Sequence, residues 1–308
     1  MKDLKTPVVF ILFNRPHTTS RVFDEIRRAR PEKLLIIADG ARKDYPEDIR
    51  LCNEARLIVE QIDWPCDVKR LYSDHNLGCR NRVISGLNWV FQEVEEAIIL
   101  EDDCLPHQSF FLFCSEMLER YRNETGVMAV SGNNFLFKKI SYSTSYHFTH
   151  LLHIWGWATW RRAWELYDPD MHLWPDAKEQ KLLNRVFSDD GLRRYFNRIF
   201  EYTYRGIINT WDYQFQFSCL VNGGLSIIPS VNFVKNIGFG PEATITKEHH
   251  PIADLPRDEM FFPLVHPQIV SADHVAEAIT AKNVYFSPIL PLSVALVVEK
   301  FKRVLGLK

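Results

Sequence analysis

Five short runs of strand character, separated by stretches with a helical period, constrain the first 130 residues more than any other feature of the chain. Val8 to Phe13, Lys33 to Ala38, Val68 to Tyr72, Ala97 to Leu100 and Val127 to Val130 read as strands. Pro16 to Arg30, Glu47 to Ile62 and Phe110 to Tyr121 read as helices, and Val83, Ile84, Leu87, Val90, Phe91 and Val94 trace a further helical face. Runs that are continuously apolar, as at Ala97 to Leu100, belong to a parallel sheet covered on both faces. Strands separated by helices of this size form right-handed βαβ units, which hold ligands at the C-terminal ends of their strands. The expected fold class is α/β: a Rossmann-like, mostly parallel sheet with flanking helices.

The rhythm is lost further on. Residues 132 to 175 are rich in aromatics and turn formers, and five of the eight tryptophans lie there. Residues 176 to 205 and 212 to 222 look helical, Leu225 to Pro229 looks like a strand, and 236 to 270 reads as loop. No repeat, low-complexity tract or clear linker divides the chain. The expected organisation is one composite domain, with a ligand-binding α/β half at 1–135 and a second half at 136–285. A C-terminal amphipathic helix is expected at 286–308. In it Val294, Val297, Val298, Phe301, Val304 and Leu305 fall on one helical stripe with Lys300, Lys302 and Arg303 beside it. That stripe fits a peripheral membrane contact, packing on the core, or a homo-oligomer contact.

Charge excludes some partners. Lys plus Arg number 37 and Asp plus Glu 39, a net charge of -2, without the basic excess of a nucleic-acid binder. No window of about 18 apolar residues suggests a membrane span. The six cysteines form no Cys-x-x-Cys pair and have no zinc-finger spacing, as expected of free thiols in a cytoplasmic protein.

The sharpest local feature is Ile98-Ile99-Leu100-Glu101-Asp102-Asp103, three acids directly after an apolar strand. Their mutual repulsion is relieved by a cation or by hydrogen-bond donors. Hard divalent ions take one or two carboxylates and complete their shell with phosphate oxygens. A solvated strand end whose acids cap the next turn is the plainer alternative. Other strand ends agree with an anionic ligand. Asn14-Arg15 follows the first strand and Asp39-Gly40 the second. Asn76-Leu77-Gly78-Cys79-Arg80-Asn81-Arg82 brings two arginines to a helix N-terminus, where a phosphate is well accommodated.

In order and spacing these segments resemble a GT-A fold nucleotide-sugar glycosyltransferase. The Glu-Asp-Asp form is similar to the N-acetylglucosaminyltransferase I family of N-glycan synthesis and its O-mannose relatives, and the general plan resembles family 2-like bacterial transferases. The resemblance covers roughly residues 7 to 240 and is strongest in 7 to 135. It implies a UDP-sugar donor and Mn²⁺ or Mg²⁺ as cofactor. Asp103 would ligate the metal, Arg15 and Asp39 would contact the nucleotide, and Asp39 would face the uracil. Glu101 and Asp102 would hold the ribose, the donor sugar or metal-bound water, and Arg80 or Arg82 would lie near the diphosphate.

The second half would then bind a glycan or lipid-linked acceptor. Trp155 and Trp157 flank Gly156, and aromatic faces stack well on sugars; Gly156-Trp157 also resembles a family segment that lines the acceptor and donor-sugar pocket, which would put Trp157 at the donor. The alternative for Trp157, Trp160 and Trp164, at helical spacing, is core packing. In Asn209-Thr210-Trp211-Asp212, the resemblance makes Asp212 the general base of an inverting transfer, with helix capping as the alternative. Asp168 and Asp170 are reserve candidates. Ile237 to Thr244 resembles the family's mobile loop over the diphosphate. Position 245 is Ile where many relatives place a His, and His249 and His250 come next. A nucleotidyltransferase or a non-catalytic carbohydrate-binding protein on the same fold are the competing functions. The former usually carries a Gly-rich loop after the first strand, and Phe13-Asn14-Arg15-Pro16 has no glycine.

Overall fold

The computed structural model describes residues 3–239 and 251–286. Its first half runs β1 (Val8–Leu12), α1 (Pro16–Ala29), β2 (Lys33–Ala38), α2 (Glu47–Val59), β3 (Asp67–Tyr72), α3 (Gly78–Glu93) and β4 (Glu96–Glu101). Next come β5 (Cys104–Pro106), α4 (Gln108–Arg120), β6 (Val127–Ser131), β7 (Tyr146–Thr149) and β8 (Trp157–Trp160). The remainder holds α5 (Arg161–Trp164), α6 (Trp174–Glu179), α7 (Leu182–Val186), α8 (Asp190–Tyr204), α9 (Asp212–Val221), β9 (Leu225–Pro229), β10 (Val234–Asn236) and α10 (His274–Thr280).

One eight-stranded sheet has the order β3-β2-β1-β4-β8-β6-β9-β7. β1 pairs in parallel with both β2 and β4, and β2 pairs in parallel with β3. β8 is antiparallel to β4 and to β6, so β6 and its parallel partner β9 run with the first four strands. Only β8 and β7 oppose the common direction. This is the expected α/β plan with a mostly parallel sheet. The inner strands β1, β2 and β4 are wholly apolar at their centres and fully buried, with helices on both faces. β3, with Asp67, Lys69 and Arg70, lies at an edge, where charged side chains discourage pairing with another chain.

The strand order dictates where a ligand can sit. The chain builds β2 and β3 on one side of β1, then returns to place β4 on the other. Connections therefore leave β1 and β4 in opposite directions and open a crevice at their C-terminal ends. Arg15 follows β1 and Glu101–Asp103 ends β4, so the acids and the arginine meet in that crevice.

Residues 157–160 are a strand despite the helical spacing of Trp157, Trp160 and Trp164. Residues 176–205 are helical as expected, divided among α6, α7 and α8. The C-terminal stripe at 287–308, residues 240–250 of the expected loop, and His249 and His250 lie outside the described residues. Among the described residues no helix is long and apolar enough to cross a membrane, and all six cysteines are unpaired.

Candidate active site

Asp102 is the structural anchor of the acid triad. It is 2% exposed, accepts from the Phe13 amide at 3.1 Å and is bonded to Arg15, tying the end of β4 to the end of β1. Burial raises its pKa to about 6, with Arg15 opposing the rise. Arg15 also donates to Asp103 Oδ2 at 2.8 Å. Although burial works against it, the charges of Asp102 and Asp103 hold the Arg15 guanidinium well above its ordinary pKa. Arg15 is thus the counter-ion of two acids.

Glu101 is different. Among the described residues its side chain has no hydrogen-bond or ion-pair partner, and it is half-buried at the end of β4. Desolvation, then repulsion from Asp103 and Asp102, pushes its carboxyl up to about 8; Asp212 adds to the same push. A carboxylate in that position is stabilised by a cation or by donors from a ligand. Asp102 points away to Phe13 and Arg15, so the triad is not a closed cage of three ligands. This suits a hard ion that takes one or two carboxylates and several other oxygens.

A backbone segment closes over the triad. β10 pairs antiparallel with β5, and Ile237 donates its amide to the Asp103 carbonyl at 2.8 Å. Gly238 follows, and a Cβ there would lie 2.2 Å from Asp103 Oδ2 and 2.8 Å from Arg15 Nη1. Only glycine lets the chain pass this close.

Asp212 begins α9, more than a hundred residues from the triad in sequence, and shares the crevice. Its charge acts on Glu101. The Cys79 thiol, at the start of α3, is raised by desolvation and then by Glu101, Asp212 and Asp103 together. Desolvation raises the pKa of Asp212 itself, while a Thr210 hydroxyl bonded to Oδ1 restrains the shift. Asp212 caps no helix in the expected manner: the cap position is Trp211, without a side-chain cap bond.

The remaining expected site residues occupy varied settings. Asp39 accepts from the Gly40 and Leu77 amides at Oδ1 and from Asn76 Nδ2 and the Gly78 amide at Oδ2, all at 2.9–3.0 Å. Its acceptor positions are filled by the loop before α3, so a uracil N–H would have to replace one of these donors. Arg80 donates to the Pro169 carbonyl at 2.9 Å and lines a polar cavity of about 500 Å³ with Asp170, Asn209 and Gln214. Arg82 is 5% exposed, its Nε and Nη2 without partners; burial lowers its pKa while nearby Asp39 works the other way. Neither arginine touches the acid triad. Asp168 is engaged by His172 and by the amide of Asp170.

Trp157 is corrected from a pocket residue to a core one. It is 1% exposed on β8 and packs on Trp211 and Phe215, with ring centroids 5.7 Å and 5.4 Å away. An interior strand facing a helix leaves no surface for a ligand. Trp155 instead lines a small cavity of about 120 Å³ with Phe135, His153, Tyr195, Tyr213 and Tyr285. Burial, then Tyr195 and Asp212, raise the Tyr285 phenol, so this aromatic cavity adjoins Asp212. Tyr195 and Tyr285 gave no sequence signal, because Tyr195 lies in an ordinary helix, Tyr285 ends a short π-helical turn at Ala281–Tyr285, and they meet only through tertiary packing.

No protein-family model matches the chain, and no curated protein matches it. Among solved structures it is similar to 4-diphosphocytidyl-2C-methyl-D-erythritol synthase from Anaerococcus prevotii. That match has 14% identity, covers 53% of this chain and 74% of that one, and has a TM-score of 0.33. It is also similar to a UDP-glucose pyrophosphorylase complexed with UDP-glucose, with 10% identity over 53% and 78% of the two chains and a TM-score of 0.32. Mouse xyloside xylosyltransferase 1 gives 9% identity over 70% and 81%, with a TM-score of 0.32.

Proposed function

We propose that this chain is a metal-dependent inverting glycosyltransferase. It would move a hexosyl or N-acetylhexosaminyl group from a UDP-sugar to a hydroxyl of a glycan or lipid-linked saccharide. The observation that carries this reading is Glu101, desolvated, without a side-chain partner among the described residues and raised by the charges of both Asp103 and Asp212, at the crevice where β1 and β4 end. The donor set fits a hard divalent ion: carboxylate oxygens, with Arg15 as the positive group beside them. Asp103 and Glu101 would hold such an ion, which would offset the charge of the departing diphosphate.

The chain's own residues do the rest. Arg15 and the backbone at Gly238 border the diphosphate position, and Arg82 carries unfilled donors beside Asp39 on the nucleotide side. The Asp212 carboxylate takes the acceptor hydroxyl proton as that oxygen bonds to the anomeric carbon and the bond to the diphosphate breaks. Desolvation of Asp212 strengthens it as a base near neutral pH. The aromatic cavity with Trp155 and Tyr285 offers stacking surfaces for the acceptor.

The test is release of UDP from a panel of UDP-sugars in the presence of Mn²⁺. Asp212→Asn is expected to lower turnover at least a hundredfold, within the usual span of a general base, while donor affinity holds. Turnover near wild type in that variant overturns the assignment of the base. Pyrophosphate formation from UTP and a sugar phosphate, without UDP-sugar turnover, would identify a nucleotidyltransferase instead.

A further inference from the structure

A second cluster of ligating groups lies at the β7 edge of the sheet, where the chain entering α10 meets that strand. Glu277 is 1% exposed, so its carboxylate must be matched by local donors. His150 supplies its backbone amide at 2.7 Å and Nδ1 at 2.8 Å to Oε1, and His274 places Nδ1 2.9 Å from Oε2. The two imidazoles lie 5.9 Å apart at 21°, and one ligand atom from each of the three residues falls within 4.8 Å of the others. The backbone already holds this junction: Phe148 bridges Ala272, and the Asp273 amide donates to the Phe148 carbonyl at 2.8 Å.

We propose that His150, His274 and Glu277 form a second metal site, selective for a borderline transition ion such as Zn²⁺, that clips α10 to the edge of the sheet. Two imidazole nitrogens with one carboxylate favour zinc over the hard ions that suit Asp103. Each imidazole would bind through Nδ1 and carry its proton on Nε2 instead, so no net proton is lost. Glu277 would supply one oxygen, and water reaches the fourth position because the His274 side chain is 49% exposed. Ligand atoms at the usual zinc distances of about 2.0–2.2 Å stand about 3.4 Å from one another in a tetrahedral site, so the two Nδ1–Oε contacts must open slightly to admit the ion. His274, at the exposed start of its helix, is the residue placed to give way.

The site has a structural consequence. From His150 the chain runs directly into Leu152–Trp155, and from α10 it runs into Val284 and Tyr285; both segments line the aromatic cavity beside Asp212. A metal at the clip would fix the two walls of that cavity relative to each other. The proposal stands on these three residues and does not depend on glycosyl transfer.

Equilibrium dialysis of the full chain against Zn²⁺, with metal analysis, and thermal unfolding with and without Zn²⁺ test it. Wild type and Asp103→Asn should both retain a zinc that His274→Ala loses, with at least a tenfold drop in affinity and loss of the zinc-dependent rise in Tm. His274 is half-exposed, so its removal leaves the core intact; Co²⁺ should give the intense visible absorption of a four-coordinate ion in wild type and not in His150→Gln. Unchanged zinc stoichiometry and an unchanged Tm shift in His274→Ala and Glu277→Gln would overturn the proposal, leaving only a carboxylate hydrogen-bonded by two imidazoles.

Discussion

Glu101, Asp102 and Asp103 are consecutive, yet the fold gives them three different tasks. Asp102 turns inward to bind Phe13 and Arg15, Asp103 shares Arg15, and the Glu101 carboxylate has no partner among the described residues. Gly238 presses against the middle of this arrangement. A Gly238→Ala substitution should therefore displace Asp103 or Arg15 and weaken metal-dependent UDP binding about tenfold or more, near 1.4 kcal/mol, measured by calorimetry. Equal affinity in the variant would mean that the segment moves freely. Another residue-scale effect concerns acid. Burial lowers the pKa of His147 to about 4 and of His153 to about 3, from the usual 6.5. The unfolded chain takes up these protons near 6.5 while the folded chain does not, so the stability they protect is present above that value. It is lost as pH falls from 6.5 toward 4. Asp102, with its raised pKa, works in the opposite direction over part of this window. The comparison of wild type with His153→Phe isolates the histidine: the loss of urea midpoint from about pH 7 to about pH 5 should be smaller in the variant.

At the level of elements, β8 shows how a local pattern can mislead. Trp157, Trp160 and Trp164 recur at helical spacing, but Trp157 and Trp160 lie at the two ends of a strand inserted between β4 and β6. Long-range pairing of Ile99 with Trp157 and Ile98 with Ala158 outweighs the local pattern. Trp157→Ala should cost about 3–5 kcal/mol, the range for a buried tryptophan in a core, read from urea unfolding. A cost below about 1 kcal/mol would return Trp157 to a pocket role. Apart from the short β5 (Cys104–Pro106), which the sequence does not signal, the strands and helices up to residue 131 were legible because most couple an apolar run or period to clear turn residues. Lys33–Ala38 and Leu225–Pro229 coincide with their expected bounds. β7 escaped notice because Tyr146–Thr149 is short and mixes polar with aromatic residues, and its burial comes from β9 and the chain at Ala272. That the acids, Arg15 and Asp212 lie at strand and helix ends was legible; that Arg15 pairs with Asp102 and Asp103 was not. The loop bonds of Asp39, the turn toward Pro169 by Arg80 and the union of His150 with Glu277 were not. They depend on contacts between segments distant in sequence.

The whole molecule depends on a sheet that neither half completes. β4 finds its second neighbour in β8 and β6 lies between β8 and β9, so the first 135 residues alone would expose the paired edge of β4 and strand β6. A fragment ending at residue 135 should fail to unfold cooperatively in urea, whereas a sharp two-state transition would indicate an independent unit. The same continuity brings Asp212 to the crevice of β1 and β4. It also explains why a net charge of -2 says little by itself: acids gather at Glu101 to Asp103, with Arg15 as their counter-ion. The proposed function requires this crevice to hold a divalent ion and a uridine diphosphate together. Calorimetric titration of UDP into wild type and Asp103→Asn, each with and without Mn²⁺, tests it most directly. Mn²⁺ is expected to tighten UDP binding at least tenfold in wild type and to have little effect in the variant; equal UDP affinity in all four titrations would rule the joint site out.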